Sequence, residues 1–106
     1  MNKVEHAVSS GGVIYKKSKP EIKVAVAIRG KGKIFCLPKG LVERGEKPEE
    51  TASREVKEET GLTGRLVDKI DSIEYWFNWS NKKIHKKVYF YLFKYLSGKT
   101  SDHDYE

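Results

Sequence analysis

The segment Gly40–Leu62, GLVERGEKPEETASREVKEETGL, holds the strongest signals in the chain for both local structure and chemistry. Its first third reads as loop, punctuated by Gly40 and Gly45 after Pro38 has broken an extended piece, Ile34 to Leu37. A helix follows. Pro48 suits the first helical position, Glu49 and Glu50 complement the positive end of the helix dipole, and Gly61 supplies a C-terminal stop. Lys47 is a poor N-cap, since its side chain offers no acceptor to the free amides of the first turn. At about 100° per residue, Glu55, Glu58 and Glu59 fall within an arc of roughly 100°. Three carboxylates therefore share one face, and Ala52 and Val56 form a neighbouring arc that can anchor the helix to a sheet.

Like charges at this spacing destabilise a helix by a few tenths of a kcal/mol per pair, about 0.2–0.5, so the face needs either solvent or a compensating cation. Oxygen-only ligands suit magnesium or manganese, whereas zinc or copper would favour the histidines and thiolates that this cluster lacks. Arg54 lies four residues after Glu50 and four before Glu58 and can pair with either. The bland alternative is a solvated, Glu-rich helix face. The flanking residues decide against it. Gly40, Glu46, Arg54, Glu55, Val56, Glu58, Glu59, Gly61 and Leu62 match every defined position of the Nudix box, a spacing whose chance occurrence is on the order of 10⁻⁹ per starting position. On these residues the chain resembles the Nudix hydrolases, whose founding type is MutT.

That resemblance implies a magnesium-dependent pyrophosphohydrolase, with manganese as a substitute ion, acting on a nucleoside polyphosphate. It implies Glu55, Glu58 and Glu59 as metal ligands, with Glu55 or a neighbour also the base for the attacking water. Arg54 resembles the orienting arginine, Glu46 the outer acidic residue with a weaker metal role, and the carbonyl beside Gly40 a further ligand. LPKG before the box, Tyr75–Phe77 and KKVYFYL at Lys86–Leu92 look like the diadenosine tetraphosphate hydrolase subgroup. There Lys39 and Lys86 would contact phosphates, and Tyr75 with Tyr89 or Tyr91 would stack on an adenine. The blander reading of these tyrosines is core packing. Alternative activities are a MutT-like nucleoside triphosphate pyrophosphohydrolase or an RNA 5′ pyrophosphohydrolase. Outside catalysis, the alternative is a nucleotide-binding module without turnover.

Working outward, the 106 residues suffice for one small domain, residues 1–106, and not for two separate cores. Val8 to Lys16 reads as a strand interrupted at Ser9, Ser10, Gly11 and Gly12, where small residues permit a bulge or a close backbone approach. Ile22 to Ile28 reads as a strand buried on both faces and ended by Gly30 and Gly32. Arg65 to Phe77 and Ile84 to Leu96 read as an antiparallel pair joined by NWSNKK. The order predicts an α+β fold with a mixed sheet carrying the box helix. In the family this becomes an α/β/α sandwich through a further strand and a C-terminal helix. The sequence ends at Glu106, so those elements are expected to be missing, and exposed apolar surface would invite homodimerisation. Glu106, or more weakly Asp102 or Asp104, is the candidate for the late acidic residue that many relatives add to the metal site.

The formal net charge of +6 favours anionic partners without choosing among them. Lys82, Lys83, Lys86 and Lys87 concentrate it around the last hairpin, where His85 reads as a surface residue without a chemical role. No stable nucleic-acid partner is expected, because the basic residues and aromatics are not arranged as an extended stacking platform. The single cysteine, Cys36, excludes an internal disulfide and reads as a buried thiol in a reducing compartment. No stretch has the apolar length of a membrane span, so a cytoplasmic protein is the expectation.

Overall fold

The computed structural model describes residues 4–29 and 34–103. In chain order the elements are β1 (Val4–Ser18), β2 (Glu21–Val24), β3 (Ala27–Arg29), β4 (Ile34–Cys36), β5 (Lys39–Leu41), α1 (Pro48–Thr60), β6 (Leu62–Trp79) and β7 (Lys82–Gly98), with a short 3₁₀ turn at Thr100–Asp102. The main sheet runs β2-β1-β7-β6, with β5 also paired to β1, and β3 and β4 form a separate two-stranded ladder. Its central pair, β1 and β7, is parallel from Val4 beside Lys83 to Tyr15 beside Lys94. All other pairs are antiparallel. The result is the α+β arrangement with a mixed sheet that the sequence predicts.

The last two strands run further than their hydrophobic patterns indicate. Trp79 pairs with Lys82, which leaves a turn of only Ser80 and Asn81, both left-handed at φ 50° and 61°. Two positive φ angles match the twist of the flanking strands, and asparagine tolerates that region better than most residues. NWSNKK is thus mostly strand.

One face of the sheet carries α1. Ile14 of β1, Tyr91 and Phe93 of β7, and Ala52 and Val56 of the helix are all buried there, with Ala25, Leu62, Tyr89 and Tyr95 packed around them. Burying each of the larger apolar side chains contributes about 1.5–3 kcal/mol. Gly12 makes the close packing feasible, since a Cβ there would lie 2.6 Å from the Phe93 ring and 2.9 Å from Val56. At the helix start Glu50 accepts the Lys47 N–H at 2.9 Å, half of a capping box that offsets the poor N-cap. At its end Gly61 adopts the left-handed conformation, φ 77°, and its N–H reaches the Lys57 carbonyl at 2.8 Å.

Three expectations need correction. β1 is continuous through Ser9–Gly12, so the small residues serve close approach and not a bulge: a Cβ on Gly11 would collide with the Pro38 carbonyl. The Ile22–Ile28 stretch is not a doubly buried strand; it divides into β2 and β3, and Ile22, Val24, Val26 and Ile28 are exposed. The reason is tertiary: β2 is an edge strand and β3 leaves the main sheet to pair with β4, so the side carrying Ile22, Val24, Val26 and Ile28 is uncovered, while Ala27 is buried and Ala25 packs against the core. Cys36 is only half buried, its thiol 3.7 Å from the Ala27 carbonyl across the β3–β4 ladder. The strand-ending role of Gly30 and Gly32 lies outside the described residues.

Candidate active site

The loop between β5 and α1 is built around Arg54. Its Nε and Nη2 donate to the two oxygens of Glu46 at 2.8 and 2.9 Å, a bidentate pairing, and Nη2 also reaches the Leu41 carbonyl at 3.3 Å. Nη1 donates to Glu55 at 2.9 Å and to Glu58 at 3.3 Å. The sequence offers Glu50 and Glu58 as partners; the structure uses Glu58, commits Glu50 to the helix cap and adds Glu46 and Glu55. Glu46 further accepts from Thr51 Oγ1 at 2.9 Å and from the Glu43 N–H at 3.0 Å. Four donors, with the Arg54 guanidinium foremost, hold its carboxyl down at about 2. The same contact raises Arg54 above its already high ordinary value. Glu46 is therefore a tie between loop and helix as much as a source of charge.

Around this knot the other carboxylates crowd against β5. Glu59 accepts the Lys39 N–H at 2.8 Å, and its second oxygen is buried. Gly40 sits against Glu55, whose side chain is only 12% exposed, and a Cβ at that position would collide with the carboxylate. Glu58 is the more open of the box glutamates, at 40%. Sequence reasoning missed Thr51, which is fully buried, and Ser10, whose hydroxyl donates to the Pro48 carbonyl at 2.6 Å and anchors the start of α1 to β1. Their small hydroxyls inside apolar surroundings are the signal that could have exposed them.

The donor set suits a hard divalent cation in kind: carboxylate oxygens and a glycine carbonyl, with the Glu55 carboxylate seated where a side chain on Gly40 would lie. Among the described residues, no three acidic, histidine or cysteine side chains converge on one metal-sized point. Glu55 and Glu58 are instead drawn toward Arg54. Glu106 and Asp104 lie outside the described residues, and Asp102 is in the exposed 3₁₀ turn after β7.

The expected substrate residues divide between the two faces of the sheet. Tyr75 is directly opposite Lys86, while Tyr89 is opposite Ser72, three residues away, so strand alternation puts Tyr75 and Lys86 on one face and Tyr89 on the other. Lys39 pairs with Gly11, which in turn lies beside Phe90, and so shares the face of Lys86. Tyr91 is buried under α1, its hydroxyl 3.4 Å from Glu49, and burial raises its pKa first of all. Tyr89 lies beside it with Lys69 and Lys87 over its ring. The structure places Lys39, Lys86 and Tyr75 on one face of the sheet and Tyr89 and Tyr91 on the other. His85 is less isolated than its sequence context implies: it is 3.1 Å from the His6 ring and 3.0 Å from Glu74, and it stacks on Trp76.

Fold and site together define a mixed-sheet domain that presents a loop-helix array of carboxylates around one arginine. The NUDIX domain profile matches residues 6–105, and the chain belongs to that family. A Mycobacterium tuberculosis protein that carries the name mutator protein MutT4 is 45% identical over 73 residues, covering 69% of this chain and 29% of the relative. The Bacillus subtilis ADP-ribose pyrophosphatase is 51% identical over 37 residues, 35% of this chain and 20% of that protein. The chain thus spans less than a third of the length of either. Among solved structures, a C. elegans Ap4A hydrolase superposes with a TM-score of 0.57 at 26% identity, over 83% of this chain and 68% of that one. A NUDIX hydrolase from Nitrosomonas europaea gives 0.66 at 20% identity, over 95% and 66%, which bears on the fold alone. No helix among the described residues is long and apolar enough to cross a membrane.

Proposed function

We propose that the chain hydrolyses a phosphoanhydride bond in a nucleoside polyphosphate, with diadenosine tetraphosphate as the preferred substrate. The observation that carries this reading is the array in which Arg54 meets Glu46, Glu55 and Glu58 beside Gly40. One guanidinium cannot neutralise three carboxylates, so the face keeps surplus negative charge that a cation would offset. Glu55, Glu58, Glu59 and the Gly40 carbonyl are the donors that would hold magnesium, or manganese in its place. When bound, the ion supplies charge neutralisation at the phosphates and a more acidic water. Glu58, the more open carboxylate, or Glu55 takes the proton from the attacking water, and Arg54 holds both in place. Lys39 and Lys86 bind phosphate, and Tyr75, on their face, stacks on an adenine. Tyr89 and Tyr91 pack under α1.

The preference for the tetraphosphate is supported by the likeness to the C. elegans Ap4A hydrolase. Incubation with diadenosine tetraphosphate and magnesium should yield ATP and AMP, with the turnover number of Glu58→Gln lowered by about 10²–10⁴. Magnesium titration by calorimetry, which needs no turnover, should show weaker binding in the same variant. Absence of turnover by the unaltered chain, or equal rates in the variant, overturns the reading. A second reading, a nucleoside triphosphate pyrophosphohydrolase, is favoured by the 45% identity to MutT4. A panel of triphosphates decides between them: release of pyrophosphate and a monophosphate at higher kcat/KM would displace the tetraphosphate.

A further inference from the structure

The face of β6 and β7 opposite α1 carries a row of partly exposed apolar side chains. Strand alternation lines up Ile73, Tyr75, Phe77 and Trp79, which are 52%, 39%, 37% and 69% exposed. Tyr75 and Phe77 already lie ring to ring, centroids 5.9 Å apart. At about 3.3 Å per residue the row is about 20 Å long, with a ring roughly every 6.6 Å. Across the hairpin, Trp79 faces Lys82, Phe77 faces Ile84 and Tyr75 faces Lys86. Of the four lysines between Ile73 and Val88, Lys82 and Lys86 share this face, while Lys83 and Lys87 lie on the other with Glu74. Glu5 of β1 lies on this face too, 3.0 Å from Lys82 in an exposed ion pair. Such a pair contributes at most about 1 kcal/mol and exchanges readily for another anion.

A row of exposed rings on one strand with ammonium groups beside it on the next satisfies two requirements of a single polynucleotide strand, a π-face for each base and a cation near the backbone phosphates. The linear sequence hides this, because the lysines and the aromatics lie on different strands and meet only through the hairpin register. A second copy of the chain is a poor occupant. It would set Lys82 and Lys86 against their own copies, a like-charge contact that disfavours association. We propose that this face of the β6–β7 hairpin is a stacking platform for single-stranded nucleic acid, built on Tyr75, Phe77 and Trp79 and flanked by Lys82 and Lys86. It shares Tyr75 and Lys86 with the proposed substrate site, whereas Phe77, Trp79 and Lys82 have no part in that site and are the positions at which the two readings separate.

The test is fluorescence anisotropy of the whole chain with labelled 12-mers of oligo(U), oligo(dT) and a hairpin duplex, in EDTA so that no hydrolysis intervenes. Single strands should bind more tightly than the duplex, with the logarithm of the affinity falling by about 0.7 per neutralised phosphate for each logarithm of salt. The relative affinity for oligo(U) and oligo(dT) reports whether RNA or DNA is preferred. Phe77→Ala with Trp79→Ala should weaken binding about tenfold or more, and Trp79→Tyr should restore most of the loss at that position. Lys82→Ala should flatten the salt dependence. Hydrolysis of the small substrate by these variants should be unchanged, which separates failure here from failure of the proposed activity. No saturable binding of single strands, equal affinity for the duplex or for poly-glutamate, or full affinity in the double aromatic variant overturns the proposal. So does a stable dimer that the double variant converts to monomer, because the face would then be covered by a second copy.

Discussion

Arg54 uses every donor it has. Five N–H groups meet two oxygens of Glu46, one carboxylate each from Glu55 and Glu58, and the Leu41 carbonyl. A lysine at this position would reach one or two of these partners as a point charge. The box residues are legible from spacing alone. What spacing does not show is that Glu46 serves as the arginine's main partner, because that pairing depends on how the loop from Leu41 to Lys47 folds back. It has a consequence for pH. The Glu46 carboxyl sits at about 2 in the folded chain against 4.5 ordinarily. A depressed carboxyl stabilises the fold fully above its unfolded value and loses that contribution as pH falls toward the folded one. The stability difference between the unaltered chain and Glu46→Gln is therefore expected to be constant from neutrality to about pH 5 and to close between 4.5 and about 2. Urea midpoints of both chains across that range check it; a gap that persists at the acid end would mean the carboxylate charge is not what holds the loop.

α1 is the best-specified element because its end signals are local. Pro48, the acidic first turn and Gly61 act within a few residues of the backbone they cap, so both ends can be placed from sequence. The strand Ile22–Ile28 is the counterexample. Its apolar run says nothing about whether a second layer exists to cover both faces, and Ile22, Val24, Val26 and Ile28 end up exposed while Ala27 is buried. Likewise the lengths of β6 and β7 depend on the left-handed pair Ser80–Asn81, which lacks the glycine that usually announces such a turn. At the end of α1 local and tertiary requirements coincide. Gly61 has a positive φ, and a Cβ there would also collide with the Lys99 carbonyl, while one on Gly98 would collide with the Gly61 carbonyl. The two glycines let the helix end and the end of β7 touch backbone to backbone. Gly61→Ala should lower stability by about 1–2 kcal/mol from the left-handed conformation alone, and further from the collision. Gly61→Asn relieves most of the conformational cost and none of the collision. Urea unfolding should find Asn nearly as damaging as Ala; recovery in the Asn variant would show that Lys99 moves aside.

The whole molecule measures 56 × 31 × 24 Å, an elongation that follows from three strands of 15 to 18 residues lying side by side. Such a sheet has an edge to protect. β6 ends the strand order, and its outer row of backbone groups has no partner strand among the described residues. Three register shifts, at Thr63/Gly64, Leu66/Asp68 and Lys69/Asp71, interrupt it, and Arg65, Asp68, Lys69, Asp71 and Glu74 place charges along it. Bulges and charges are what discourage edge-to-edge pairing. Another route to self-association is face to face, through Ile73, Tyr75, Phe77 and Trp79. There the hydrophobic drive is opposed by lysine against lysine. Repulsion of this kind reaches about 10 Å at 0.1 M salt and about 3 Å at 1 M, whereas apolar burial is little weakened by salt. The chain is therefore expected to sediment as a monomer in 0.1 M salt and to associate as salt rises toward 1 M at the same protein concentration. Sedimentation velocity at the two ionic strengths measures this directly. Association that weakens with added salt would reverse the conclusion, since it would require an interface held by opposite charges and not by the aromatic face.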